Sequence, residues 1–343
     1  MIGTSATPSM LFVTYNLLSS KRRTVLTFPH IDPDVLDPVR RFDDLLLKLR
    51  QTLLQAPHHV CFGLQEVSLE WVGVLRDFFQ TYQYSFIHAC YGDAPSGFMG
   101  VALAFPLAEI RSIRLSCPSY DWGHVLVNAQ PTVSSVWYKQ PFEAVKQWLA
   151  IRSPSQSIQV THHPNRAIFG TYDQIAVGVY HMPDMGEHLL LLTIHLVHFF
   201  KALRQYCETE GVHQFIVLMD ANFTPYSLPY YFVINSLSDN EWAQLEAASP
   251  GIFEDGILEF IHGALHATTH VYPHDSITYC TSQTLHDGSV AGWKMDYIWT
   301  KVDPSFLRAN TDIAPYRDTP NDHSPLPNDQ EPSNHYMLAA ELL

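Results

Sequence analysis

Basic residues are scarce in this chain: 20 Lys and Arg face 34 Asp and Glu, for a formal charge of −14 with histidine neutral. A long, non-specific nucleic-acid groove rests on clustered Lys and Arg that neutralise phosphates, so the balance argues against one. Clustered basic residues are confined to Lys21-Arg22-Arg23 and Arg40-Arg41. Cysteine is also sparse. The five (Cys61, Cys90, Cys117, Cys207, Cys280) are odd in number, scattered and without a C-x-x-C pair, which reads as reduced core thiols in an intracellular protein. No window approaches the ~18 apolar residues of a membrane helix. No basic segment followed by a long apolar stretch opens the chain, and Met10 to Leu18 reads as a strand rather than a signal peptide. Internal repeats and low-complexity tracts are lacking too. The expectation is an intracellular protein, cytoplasmic or nuclear, with no membrane segment.

What is present suits one large domain: 343 residues, 46% hydrophobic and 16% charged. A short tail, residues 1–9, precedes a domain expected over 10–343. Leu11–Leu17 is an apolar, β-rich run and reads as a buried strand. Asp34–Gln55 carries Val35, Val39, Phe42, Leu45, Leu46, Leu49 and Leu53 at helical spacing. Val60–Leu64 reads as a strand, Ser68 as the cap of a helix reaching about Tyr82, and Gly100–Phe105 as another strand. Residues 116–164 read as an insertion or a substrate-side element, with a helix over Phe142–Ile151. Ile175–Tyr180, Leu189–Leu196, Phe215–Met219 and Trp293–Thr300 all read as strands. Phe199–Glu210 reads as a helix closed by Gly211.

Polar residues recur at the ends of these apolar strands. Asn16 is in the first, Glu66 follows the second, His195 ends LLLLTIH, Asp220 and Asn222 follow FIVLM, and Asp296 lies within WKMDYIWT. Asp322-His323 sits in a late polar loop. Strand ends converge on one rim, and charged groups beside buried strands are costly unless paired or bound to a metal. Each residue alone has a plainer explanation. Glu66 is a possible helix N-terminal acid, Asp220-Ala221-Asn222 an Asx turn, and His195 one of 19 histidines. Asp296 is harder to dismiss, because Asp is depleted in strands.

The ordered series resembles the endonuclease/exonuclease/phosphatase superfamily from about Met10 onward. Thr14-Tyr15-Asn16-Leu17 is similar to its opening S/T-x-N strand, and Gly63-Leu64-Gln65-Glu66-Val67 to its L-Q-E-V motif. Thr193-Ile194-His195-Leu196 is similar to T-H-L, and Met219-Asp220-Ala221-Asn222-Phe223 with Pro225 to G-D-x-N-x-x-P. Met295-Asp296-Tyr297-Ile298 resembles I-D-Y-I, and Asn321-Asp322-His323-Ser324-Pro325-Leu326 resembles the closing S-D-H-x-P-L. Two departures stand out: Met219 replaces the glycine before the Asp, and Leu18 stands where some relatives carry an acidic second ligand. The latter is similar to the deadenylase and 2′-phosphodiesterase branch.

The resemblance implies a four-layer α/β/β/α sandwich, two mostly antiparallel sheets flanked by helices, with the site at one rim. It implies a Mg²⁺-dependent phosphoesterase in which Mn²⁺ substitutes. Glu66 is then the principal metal ligand with Asn16 and Asp322, Asp220 and Asn222 handle water or phosphate, and Asp296 orients His323. His195 is a second donor. That chemistry suits phosphate-ester hydrolysis, which needs neutralised charge and an activated water. The branch points to single-stranded nucleic acid or short oligonucleotides. A phosphoinositide phosphatase or sphingomyelinase-like phospholipase C is the rival enzyme, and a catalytically inactive scaffold is the rival from another class.

Overall fold

The computed structural model describes residues 10–22, 28, 31–56, 59–92, 95–107, 110–114, 166–172, 174–184, 188–253, 256–265, 279–284, 290–302, 307–309, 326–328 and 331–342. The proposed insertion at 116–164 lies outside them. The first half carries β1 (Met10–Asn16), α1 (Pro38–Gln55), β2 (His59–Val67), α2 (Leu69–Thr81), β3 (Tyr84–Cys90), β4 (Gly100–Pro106) and β5 (Ile110–Arg114). After it come β6 (Ala167–Tyr172), β7 (Ile175–His181), α3 (Leu189–Glu210) and β8 (Gln214–Asp220). Three further helices follow: α4 (Leu228–Val233), α5 (Asp239–Ala248) and α6 (Ile257–Leu265). The chain closes with β9 (Tyr279–Thr284), β10 (Val290–Trp293), β11 (Asp296–Thr300), β12 (Leu307–Ala309) and β13 (Leu338–Leu342).

Two sheets stack face to face. One has the order β12-β13-β1-β2-β4-β3, the other β11-β8-β7-β6-β5, and β9 pairs with β10 in a small ribbon. Each large sheet contains one parallel pair, β1 with β2 and β7 with β8, and is otherwise antiparallel. This is the expected sandwich. Its central strands β1, β2, β4, β7 and β8 are largely apolar because both faces are covered. In β1, Met10 and Phe12 face the other sheet, whereas Leu11, Val13 and Tyr15 face the helices α1 and α2. In β8, Ile216 and Leu218 fill the inter-sheet core, while Phe215, Val217 and Met219 pack under α3. Gly63 marks a close approach of the sheets: a Cβ there would lie 2.7 Å from Leu218 Cβ and 3.0 Å from Val179 Cγ2.

Local signals explain the helix ends. The Asp37 carboxylate accepts from the Val39 and Arg40 N–H groups, and Pro38 opens α1. Gly211 closes α3 in the left-handed conformation, with φ 68°.

Two expectations need correction. Leu189–Leu196 is not a strand but the start of α3, a 22-residue helix that continues through Phe199–Glu210. Leu-rich sequence favours helix, and α3 lies between the sheet and α4 to α6, so apolar residues surround it and erase the amphipathic stripe. Trp293–Thr300 is likewise two strands. The chain leaves the ribbon after Trp293 and joins the large sheet at Asp296, with Lys294-Met295 as the corner.

Candidate active site at the strand rim

The topology brings particular strand ends together. Asn16 closes β1, and Glu66 lies near the end of β2 where the pairing with β4 slips between Leu64 and Val67. That bulge and the left-handed backbone of Glu66, φ 53°, turn its carboxylate toward the rim. His181 closes β7 and is in register with Asp220 at the end of the parallel β8. Asp296 opens β11, which runs antiparallel, and so is also in register with Asp220. His335 arrives from the segment before β13, where the Ser333 hydroxyl donates to the Asn16 carbonyl at 2.6 Å.

Their side chains converge. His181 Nε2 lies 3.3 Å from Asp220 Oδ2 and 3.9 Å from Glu66 Oε1. Asn16 Nδ2 donates to Asp220 Oδ2 at 2.7 Å, and its own Oδ1 accepts from the Leu18 N–H. The Asn222 N–H donates to Asp220 Oδ1 at 3.1 Å, and Asn222 Nδ2 donates to the Met182 carbonyl and lies 3.2 Å from His181 Nε2. His335 Nδ1 donates to Asp296 Oδ2 at 2.9 Å, while its Nε2 lies 3.9 Å from Asp220 Oδ2. The Tyr91 hydroxyl contacts His181 Nδ1. Arg166 lies over the Tyr91 ring at 4.3 Å and donates to the His181 carbonyl at 3.1 Å.

Burial would raise the Asp220 carboxyl. The His335 imidazole, His181 and the Asn16 amide outweigh it and hold the group well below the usual carboxylate range. Glu66 is also shifted down: burial opposes ionisation, but Arg22, His181 and the Ser19 N–H favour it. His335 moves the other way. Burial disfavours its charged ring, yet Asp296 and Asp220 raise it to about 9.

The expected site residues fall into three groups. Asn16, Glu66, Asp220, Asn222 and Asp296 are brought to one rim. His195 is instead half-buried on α3, in a helix rather than at a strand end, and the histidine beside Asp220 is His181. Asp322 and His323 lie outside the described residues, and the histidine paired with Asp296 is His335. The same strand-end rule that picked Asp220 applies to Val179-Tyr180-His181. Ser333-Asn334-His335 before the last apolar run was the other available signal. Of the two departures noted in the sequence, Met219 leaves the backbone relaxed, whereas Leu18 itself takes a left-handed conformation. Met219 is an ordinary strand residue, Leu18 is buried with Phe28, Ile31 and Leu36, and left-handed φ angles fall at Leu18 (54°) and Asn222 (49°).

Two groups of side chains have ligand atoms within 4.8 Å of one another: Glu66, His181 and Asp220, then Asp220, Asp296 and His335. Carboxylate oxygens beside an amide suit a hard divalent cation, which needs few carboxylates and retains water.

Solved structures share this architecture. ANGEL2, described as a 2′,3′-cyclic phosphatase, superposes with a TM-score of 0.59 at 13% identity, covering 98% of both chains. Its complex with adenosine-2′,3′-vanadate gives 0.57 at 14% identity, over 98% of this chain and 95% of that one. The fold is that of the endonuclease/exonuclease/phosphatase superfamily. A humanized TDP2 from D. rerio, another structure with this superfamily fold, gives a TM-score of 0.50 at 11% identity, over 98% of this chain and 100% of that one. No protein-family model and no curated protein matches the sequence. Among the described residues, no helix is long and apolar enough to cross a membrane.

Proposed function

We propose that this chain is a metal-dependent phosphoesterase that hydrolyses phosphodiester bonds in single-stranded nucleic acid or short oligonucleotides. The observation that carries this reading is the convergence of Glu66, His181 and Asp220 with Asp296 and His335 around one buried rim. The nucleotide-derived ligand named for ANGEL2 favours a nucleotidyl substrate over a lipid. Thiols buried at Cys61 and Cys207 fit a reducing compartment, the cytoplasm or nucleus.

Glu66 would hold a divalent cation, Mg²⁺ or Mn²⁺, with Asp220 and the Asn16 side chain beside it. Such an ion, when bound, would neutralise charge on the phosphate and acidify water. Asp220 is too weak a base to take a proton from free water, because its neighbours stabilise its anion. Its task is to orient the attacking water. Asn222 fixes Asp220 by donating its N–H to the carboxylate. His335, cationic below about pH 9, donates to a phosphate oxygen as charge builds in the transition state, and Asp296 aims it. His181 adds a second donor, aligned by Tyr91.

The test is hydrolysis with Mg²⁺, with Mn²⁺ and with chelator, in wild type and Glu66→Ala. Substrates are single-stranded RNA and DNA, duplex DNA, an oligonucleotide ending in a 2′,3′-cyclic phosphate, an inositol phosphate and sphingomyelin. Single-strand cleavage that disappears with chelator and with Glu66→Ala is expected. Cleavage of the lipid or inositol substrates alone would transfer the protein to the rival class, and inert folded protein would leave the scaffold reading.

A further inference from the structure

The arginine that follows β1 has a place in the site that its sequence context did not announce. The turn Ser19–Arg22, closed by the Arg22 N–H donating to the Ser19 carbonyl at 3.1 Å, holds both oxygens of Glu66. The Ser19 N–H donates to Oε2 at 3.1 Å, and Arg22 Nη1 donates to Oε1 at 3.2 Å. Oε1 is also the oxygen 3.9 Å from His181 Nε2, and Glu66, His181 and Asp220 form a group that fits a cation.

We infer that Arg22 is a substrate-phosphate ligand of this site, paired with Glu66 until a divalent cation takes that carboxylate. The inference rests on the phosphoesterase reading above. A guanidinium and a divalent cation repel each other across one carboxylate oxygen, so the two compete for Oε1. The Arg22 side chain is 40% exposed and that of Glu66 7%, so the arginine is the partner free to turn. Among the described residues Glu66 is the one side chain it hydrogen-bonds, through a single N–H, and the rest of its donor fork is available to a ligand. Arg166 has no such freedom, tied to the His181 carbonyl and the Tyr91 ring. Three carboxylates, Glu66, Asp220 and Asp296, surround the place where a phosphate must enter, in a protein of net charge −14. A planar fork that binds phosphate oxygens in pairs meets that need better than a point charge.

The experiment has two arms on Arg22→Gln and Arg22→Lys, each checked for fold by circular dichroism and thermal melting. Mn²⁺ is first titrated calorimetrically without substrate. Arg22→Gln is expected to bind Mn²⁺ roughly 3- to 10-fold more tightly, because the competing cation is gone, with Arg22→Lys near wild type. KM for a single-stranded oligonucleotide is then expected to rise roughly 10- to 100-fold in Arg22→Gln and by less in Arg22→Lys. Unchanged or weaker Mn²⁺ binding in folded Arg22→Gln, or an unchanged KM, overturns the inference. The metal arm uses no substrate, so its failure counts against Arg22 alone, whereas an inert wild type counts against the phosphoesterase reading.

Discussion

His181 and Asp220 end neighbouring parallel strands in the same register, and their side chains meet, Nε2 to Oδ2, at 3.3 Å. Parallel pairing puts both carboxyl ends at one rim, so neither residue needs a long loop to reach the other. The Tyr91 hydroxyl on Nδ1 and Asn222 beside Nε2 leave the ring little rotational freedom.

His181→Ala is therefore expected to lower kcat by about 100-fold or more while keeping the fold, since a donor aimed at developing charge is lost. His195→Ala, a change on α3, is expected to stay within about 3-fold of wild type. Steady-state kinetics of the two variants, side by side, decide which histidine serves the site.

The His335–Asp296 pair makes stability depend on pH. The folded-state value of His335 is raised, to about 9, above an unfolded value near ~6.5. The folded state thus binds the proton more tightly. Its contribution is fully present below about pH 6.5 and is lost as pH rises through 9, roughly 3 kcal/mol over the window. Urea unfolding of chelator-treated protein across pH 6 to 10 measures it, and Asp296→Asn is expected to flatten the curve.

Cation binding should register as stability. Glu66, Asp220 and Asp296 are buried anions whose mutual repulsion a divalent ion relieves. At about 100 times its dissociation constant, Mn²⁺ is expected to add about 2.7 kcal/mol, raising Tm by several degrees. Glu66→Gln is expected to lose most of that increment. Equal shifts in both proteins would remove Glu66 as the principal ligand.

Arg41 tests the frame behind the site. This buried side chain donates to the carbonyls of Leu17, Leu18 and Pro332, joining the turn after Asn16 to the segment that carries His335. Arg41→Met leaves those carbonyls without their donor, and a loss of about 2 to 4 kcal/mol is expected in denaturant unfolding.

Gly63→Ala probes the sheet interface. The added methyl meets Leu218 and Val179 across the sandwich, and the neighbours are strand side chains packed on both faces. A loss of about 1 to 3 kcal/mol is expected by the same measurement.

The sequence by itself determined the strands β1, β2, β4, β7 and β8, the helices α1 and α2, and the placement of Asn16, Glu66, Asp220, Asn222 and Asp296 at strand ends. Those signals are local: unbroken apolar runs, caps, and polar residues stationed where a run stops. Tertiary structure decided the rest. Whether LLLLTIH became strand or helix depended on what would surround it, and a segment apolar on every side carries no periodicity to read. Which histidine stands beside Asp220, and which beside Asp296, depended on strand register and on the fold back of residues 331–337. Both are set by pairing between segments far apart in the chain. Arg22 shows the same limit: in sequence it is one of a short basic run, and only the approach of β1 to β2 puts it on Glu66.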